Sequence, residues 1–263
     1  MGAVDITIVS LGLGFLLLLI PIAISRIFHL GIIRSMLVSF ARMTLQLFLM
    51  ALFLKYLFEW DFGPLNILWL IIMIIVAVIA VIRNSGLSVR IFALPVLLAF
   101  TLSVFLILIY FNYIIVGIED ITEAKYFIII GGMLLGNSLR GNIIGITTFY
   151  KDIKRNNNRY IYSLSLGASK FEATLPYLRD GLRSALKPSI ANMATIGIVS
   201  LPGMMTGQIL GGSTPMTAIK YQIAIIIAIF TAVSITVTLS IILTLRHSFN
   251  GFGMLKQGIF RKG

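Results

Sequence analysis

The 263-residue chain contains no cysteine, two histidines and only 11% charged residues. Without cysteine there is no disulfide framework, no thiolate metal site and no cysteine nucleophile. A soluble domain carries about 25% charged residues. Less than half that share cannot cover a water-soluble globule, which excludes an ordinary cytosolic enzyme, a disordered chain and a secreted disulfide scaffold. No G-x-x-x-x-G-K-S/T string occurs, so the polypeptide cannot cradle ATP phosphates with a P-loop. His29 and His247 have no partner at helical spacing and read as solvated or interfacial residues. No Ser/His/Asp grouping and no H-E-x-x-H string supports covalent or zinc chemistry, so the chain is not expected to be an enzyme.

What is present is apolar: 59% of the residues are hydrophobic. A helix crossing the hydrocarbon of a bilayer needs roughly 20 mostly apolar residues. Seven stretches qualify: Val4–Ser25, Val38–Phe58, Leu65–Ile82, Ile91–Asn112, Tyr126–Thr148, Ser189–Met205 and Met216–Leu245. Alternating patterning is absent, so a β-barrel is excluded. The expected fold is all-α, a polytopic membrane protein forming one membrane-spanning domain over residues 1–263. The first stretch lacks a positive leader and is too long for a signal-peptide core, so it reads as a retained helix. No internal repeat appears, which leaves an inverted-repeat transporter without support.

The net charge of +12 would suggest nucleic acid in a soluble protein. In a membrane protein it is read by position, because basic residues collect on the cytoplasmic side. The connections 26–37, 83–90, 149–188 and 246–263 hold 16 of the 21 Lys and Arg residues, whereas 59–64, 113–125 and 206–215 hold Lys125 alone. The latter also carry Glu59, Asp61, Glu119, Asp120 and Glu123. This asymmetry predicts an outside N-terminus, a cytoplasmic C-terminus, lipid as the surrounding partner and no nucleic acid. Glu119 and Asp120 are a carboxylate pair that fits a solvated outer loop.

One cytoplasmic connection, 149–188, has internal structure. Arg155 to Arg159 reads as a break, and Tyr160–Leu166 as a helix stopped by Gly167. Ser169 and Glu172 then form a capping box. The new helix is expected to be short because Pro176 follows within two turns. A third piece, Tyr177–Lys187, leads to Pro188. Phe171 and Leu175 are four residues apart and share a face, an apolar pair suited either to a partner's groove or to packing on the protein itself.

Leu166-Gly167-Ala168-Ser169, then Glu172-Ala173 and Leu175-Pro176, resembles the cytoplasmic coupling loop of ABC-transporter permeases. Val199-Ser200-Leu201-Pro202-Gly203-Met204-Met205-Thr206-Gly207-Gln208-Ile209-Leu210-Gly211-Gly212, Lys220-Tyr221-Gln222 and Gly136-Asn137-Ser138 resemble the FetB-type permeases. The resemblance covers about 130–225 well. It implies the membrane subunit of an ABC transporter linked to metal homeostasis, with iron export among its bacterial members and aluminium tolerance among its plant relatives. It also implies a separate ATPase chain that holds ATP and magnesium, this chain binding no cofactor. Gly167, Ala168, Ser169, Phe171, Glu172, Leu175 and Pro176 would then be the coupling residues. Where the family often carries acidic residues after Gly-Asn-Ser, this chain has Arg140 and Asn142.

Polar side chains inside spans are expensive and are functional candidates by default. Asn137, Ser138, Arg140 and Asn142 interleave with Gly132, Gly136, Gly141 and Gly145, small residues that permit close helix approach. Asn192, Thr195, Thr206, Gln208 and Gln222 form a second polar set, beside Met204 and Met205, whose thioethers suit soft metals or adaptable packing. The two glycine pairs are nine residues apart, or 2.5 turns, so each pair is expected to face a different surface. A homodimer with its pathway at the subunit seam accommodates both close packing and a polar lining. The rival expectation is an ATPase-independent channel or secondary transporter.

Overall fold

The computed structural model describes residues 5–260, which form nine helices and no extended strand. Val4, the first residue of the first expected span, lies outside this range. Helix α1 (Ile8–Ile27) contains a 3-10 turn at Leu16–Leu18. It is followed by α2 (Ile33–Trp60), α3 (Gly63–Asn84) and α4 (Val89–Val116), whose last turn, Phe111–Val116, is a π-helix. Then come α5 (Ala124–Arg155), α6 (Asn157–Ser165), α7 (Lys170–Thr195), α8 (Gly203–Leu210) and α9 (Pro215–Ser248).

Six helices, α1 to α5 and α9, are long and apolar enough to cross a membrane. The sixth expected stretch, 189–205, is not one helix. It comprises the last turns of α7, a turn through Gly197 at φ +88° and the start of α8. The break has a local cause: Ile196 leaves the helical region at ψ 136°, Gly197 takes a left-handed conformation, and Pro202 sits extended before α8.

Packing fixes the directions. A Cβ on Gly141 would meet Val233, one on Gly145 would meet Val237, and the Tyr150 hydroxyl donates to Thr244 Oγ1 at 2.8 Å. Contacts that advance together along both helices mean that α5 and α9 run parallel. Residues 156–214 must therefore carry the chain back from the end of α5 to the start of α9. They do so by the broken path α6, α7, turn and α8, with α7 antiparallel to α5.

The core lies between α3, α4, α5 and α9, filled by Leu70, Ile74, Phe92, Phe100, Phe111 and Leu134. Ser103 bonds across it, donating to the Ala232 carbonyl at 3.0 Å and accepting from Thr236 at 2.8 Å. Helices α1 and α2 stand at the edge, and Leu57 is the one buried residue of α2. Their exposed Leu, Ile and Phe side chains suit hydrocarbon, where apolar exposure costs nothing.

Helix α7 is continuous where the sequence predicts two proline breaks. It runs through Pro176 and Pro188, each of which lacks the N–H that would bond the carbonyl four residues earlier. Its buried face, Ala173, Tyr177, Leu178, Gly181 and Ala185, packs on α5 and holds the helix together. At the crossing the backbones nearly touch: a Cβ on Gly181 would fall 2.9 Å from the Gly145 carbonyl oxygen.

Residues 249–260 form a strap. The Ser88 amide donates to the Ile259 carbonyl at 2.9 Å, and Leu87 bridges to Phe260. The Tyr160 hydroxyl on α6 donates to the Gly253 carbonyl at 2.7 Å. Phe249 and Ile259 are buried, and Lys154 lies over the Phe260 ring at 4.6 Å. The strap thus joins the start of α4 to α6.

Candidate functional site: a polar cleft served by one long helix

Helices α5 and α7 flank an open cleft of about 610 Å³, lined on one side by Asn137, Arg140, Gly141 and Ile144 and on the other by Ala185, Pro188, Ser189, Asn192 and Thr195. A smaller cavity of about 160 Å³ shares Asn137, Ser189 and Asn192 and adds Met193, Ser200, Pro202 and Gln222. The shared walls make them one cleft running from the α5–α7 seam to α9. Asn137 is half-buried and donates to the Met133 carbonyl at 2.9 Å, leaving its other amide hydrogen and its oxygen free. Gln222 is buried, and its Oε1 has no partner within the protein. Arg140 and Asn192 are exposed in the cleft wall.

The structure divides the candidate polar residues. Asn137, Arg140, Asn192 and Gln222 come together. Ser138 and Asn142 are fully buried in the core, where Asn142 Nδ2 donates to the Ser138 carbonyl at 2.9 Å. Helix geometry explains the split, since five residues place Asn142 about 140° around α5 from Asn137. Met204, Met205, Thr206 and Gln208 lie on α8, outside the cleft lining. Met205 is buried, Met204 packs on the core, and Thr206 donates to the Pro202 carbonyl at 3.1 Å. Ser189 does not stand out in the sequence. Once α7 is one helix, Ala185, Ser189 and Asn192 recur at the spacing of a single face, the signal that exposes it.

The glycines divide as well. Gly141 and Gly145 sit in the tight seam with α9 and α7, and a Cβ on Gly132 would face Met73 of α3 at 3.3 Å. Gly136, expected with them as a packing residue, has open space where a side chain would stand: a Cβ there would have no neighbour within 4 Å. It opens instead onto an apolar cleft of about 750 Å³ between α2, α3 and α5.

At the other end of α7, Ser169 Oγ accepts from the Glu172 amide at 3.3 Å, and Glu172 Oε2 accepts from the Ser169 amide at 2.8 Å. The Ser169 hydroxyl also donates to Glu172 Oε2 at 2.7 Å, and this bond, with that from the Ser169 amide, holds the Glu172 carboxyl below its ordinary pKa. Gly167, at φ +91°, ends α6, and Ala168 packs on the core. The expected apolar pair separates: Leu175 packs inward, whereas Phe171 is 52% exposed. Pro176 lines a polar groove with Asp152, Arg159, Glu172 and Asp180.

Among the described residues no cluster of three or more His, Cys, Asp or Glu side chains could hold a metal ion. In the loop between α4 and α5, Asp120 Oδ1 accepts from the hydroxyl and amide of Thr122 at 2.7 and 2.9 Å, which lowers its pKa and gives it a turn-forming role.

Parallel and antiparallel apolar helices around a polar cleft define a multi-pass helical membrane protein. Residues 8–249 match the family described as Uncharacterised protein family (UPF0014), and the chain belongs to that family. It is similar to the probable iron export permease protein FetB of Escherichia coli (strain K12), 29% identical over 255 residues that cover 95% of each chain. It is also similar to the UPF0014 membrane protein YjkA of Bacillus subtilis (strain 168), 28% identical over 94% of this chain and 98% of YjkA. The protein ALUMINUM SENSITIVE 3 of Arabidopsis thaliana is 28% identical over 81% of this chain and 76% of its own length. No solved structure matches the chain.

Proposed function

We propose that this protein is the membrane permease subunit of an ABC transporter. A separate ATPase subunit binds ATP and magnesium and drives a solute through the α5–α7–α9 cleft. One observation carries the reading: α7 is a single helix whose capped end presents Phe171 to solvent and whose far end supplies Ser189, Asn192 and Thr195 to the cleft. Its 26 residues form a rod of about 39 Å. Closure of an ATPase pair pushes on Phe171 and the neighbouring acidic groove, and the rod moves the cleft wall. Two copies related by a twofold axis would present two such rods to the two ATPase subunits, with the N-terminus outside and the C-terminus in the cytoplasm of a plasma membrane.

The name of the Escherichia coli relative supports iron as the exported element. An ATPase-independent channel leaves the exposed Phe171 without an occupant for its partner surface. The test is purification of the chain from its native membrane, followed by reconstitution. A stoichiometric ATPase chain should accompany it, and its turnover should rise with the transported solute. A chain that purifies alone and passes solute without ATP overturns the reading.

A further inference from the structure

Arg140 lies deep in a span. It is 11 residues from Lys151, about 16 Å along α5, and 14 residues from Tyr126, about 21 Å. On either side α5 continues for more than ten residues, and Arg140 lines its cleft with α7. Among the described residues neither ion pair includes Arg140, and no Asp or Glu lines either part of the cleft. A charged side chain at this depth persists where it faces water or an opposite charge.

The surroundings have one chemical character. Asn137, Ser189, Asn192 and Gln222 offer neutral amides and hydroxyls, whose N–H and O–H groups can donate to an anion. Hard cations select carboxylate-rich oxygen sites, and iron takes imidazole and carboxylate. A fixed guanidinium repels either ion and is suited to forked recognition of carboxylate or phosphate.

We propose that the cleft accepts an anion and that Arg140 is its specificity-determining residue, so that iron, if carried, passes as an anionic chelate and not as the bare ion. This rests on the cleft being the permease pathway, and it assigns the chemical class of the solute.

The test uses the full chain in phosphatidylcholine nanodiscs, where no anionic lipid competes, with thermal shift and direct titration as readouts. The probes are inorganic phosphate, citrate, ferric citrate and ferrous ion alone. At least one anionic probe should bind, and ferrous ion alone should not. Arg140→Gln should weaken the anion at least tenfold, whereas Arg140→Lys, which keeps the charge but loses the fork, should weaken it less. With no ligand, Arg140→Gln should melt at or above the parent temperature, because it removes a charge that has no protein partner. Asn192→Ala provides a second variant that leaves the charge in place and should also weaken the anion.

The proposal fails if ferrous ion binds alone, if none of the three anionic probes binds, or if Arg140→Gln leaves their affinity unchanged. It also fails if the effect of Arg140→Gln appears only in phosphatidylglycerol discs, since the anion is then a lipid headgroup. These measurements need no ATPase. Anion binding through Arg140 in a chain that has no ATPase partner would sink the permease reading alone. ATPase turnover driven by ferrous ion and indifferent to Arg140 would sink the anion alone.

Discussion

Two glycines distinguish backbone contact from open space. At Gly181 a methyl group meets the Gly145 carbonyl at 2.9 Å, and a backbone atom cannot rotate away as a side chain can. Gly181→Ala gains helix propensity, up to about 1 kcal/mol, but the forced separation of α5 and α7 costs about 1–3 kcal/mol. The net effect should be a lower melting temperature in detergent. Gly136→Ala adds a methyl group where nothing lies within 4 Å, so propensity acts alone and the same melt should stay level or rise. Equal losses in both variants would mean that Gly136 also sits in a close seam. Sequence spacing assigns all four α5 glycines to packing roles, because spacing reports which residues share a face but not which face has a neighbour.

At the level of the element, α7 is both the most and the least readable part of the chain. Its start is visible, because Ser169 and Glu172 satisfy each other within four residues and need no tertiary partner. Its length is not, because Pro176 and Pro188 suggest breaks that are overridden only by packing on residues far away in sequence. The membrane spans are likewise set by local hydropathy, except at 189–205, where apolar composition hides the turn at Gly197. The polar cleft needs two facts beyond local pattern, the antiparallel course of α7 and the parallel course of α9. Asn137, Asn192 and Gln222 are each visible separately, but their meeting is not.

The same helix separates two side chains that spacing pairs. On the proposed coupling role, Phe171→Ala should lower affinity for an ATPase partner by about 2 kcal/mol, as loss of an interface anchor does, with the melting temperature unchanged. Leu175→Ala should do the reverse, lowering the melt while leaving association close to parent. A pull-down beside a thermal melt checks both. A Leu175 variant that melts normally but no longer captures ATPase would return it to the interface.

Across the whole molecule, the strap of residues 249–260 joins elements that are distant in sequence. Its anchor, Tyr160, is fully buried, and burial pushes its hydroxyl up from 10.0 to about 12. The neutral form donates to the Gly253 carbonyl and the phenolate cannot. Because the folded value is raised, this contribution is complete below about pH 10 and is lost as the pH rises through about 12. Tyr160→Phe should cost about 1 kcal/mol at neutral pH and should flatten the alkaline part of the stability profile relative to parent. Thermal melts of the two proteins from pH 8 upward provide the comparison, and parallel profiles would remove Tyr160 from the role of anchor.

The strap also sets an order on biosynthesis. Tyr160 belongs to the connection made before α9, whereas Gly253, its acceptor, is made after α9. While α9 is still being threaded into the bilayer, α6 therefore lacks its fastening to the start of α4. On the proposed function, the Phe171 face that would meet an ATPase stands beside an unfastened α6 until the last described span has been inserted. In the proposed function, a nascent chain would thereby be kept from engaging its ATPase before its route across the membrane is closed.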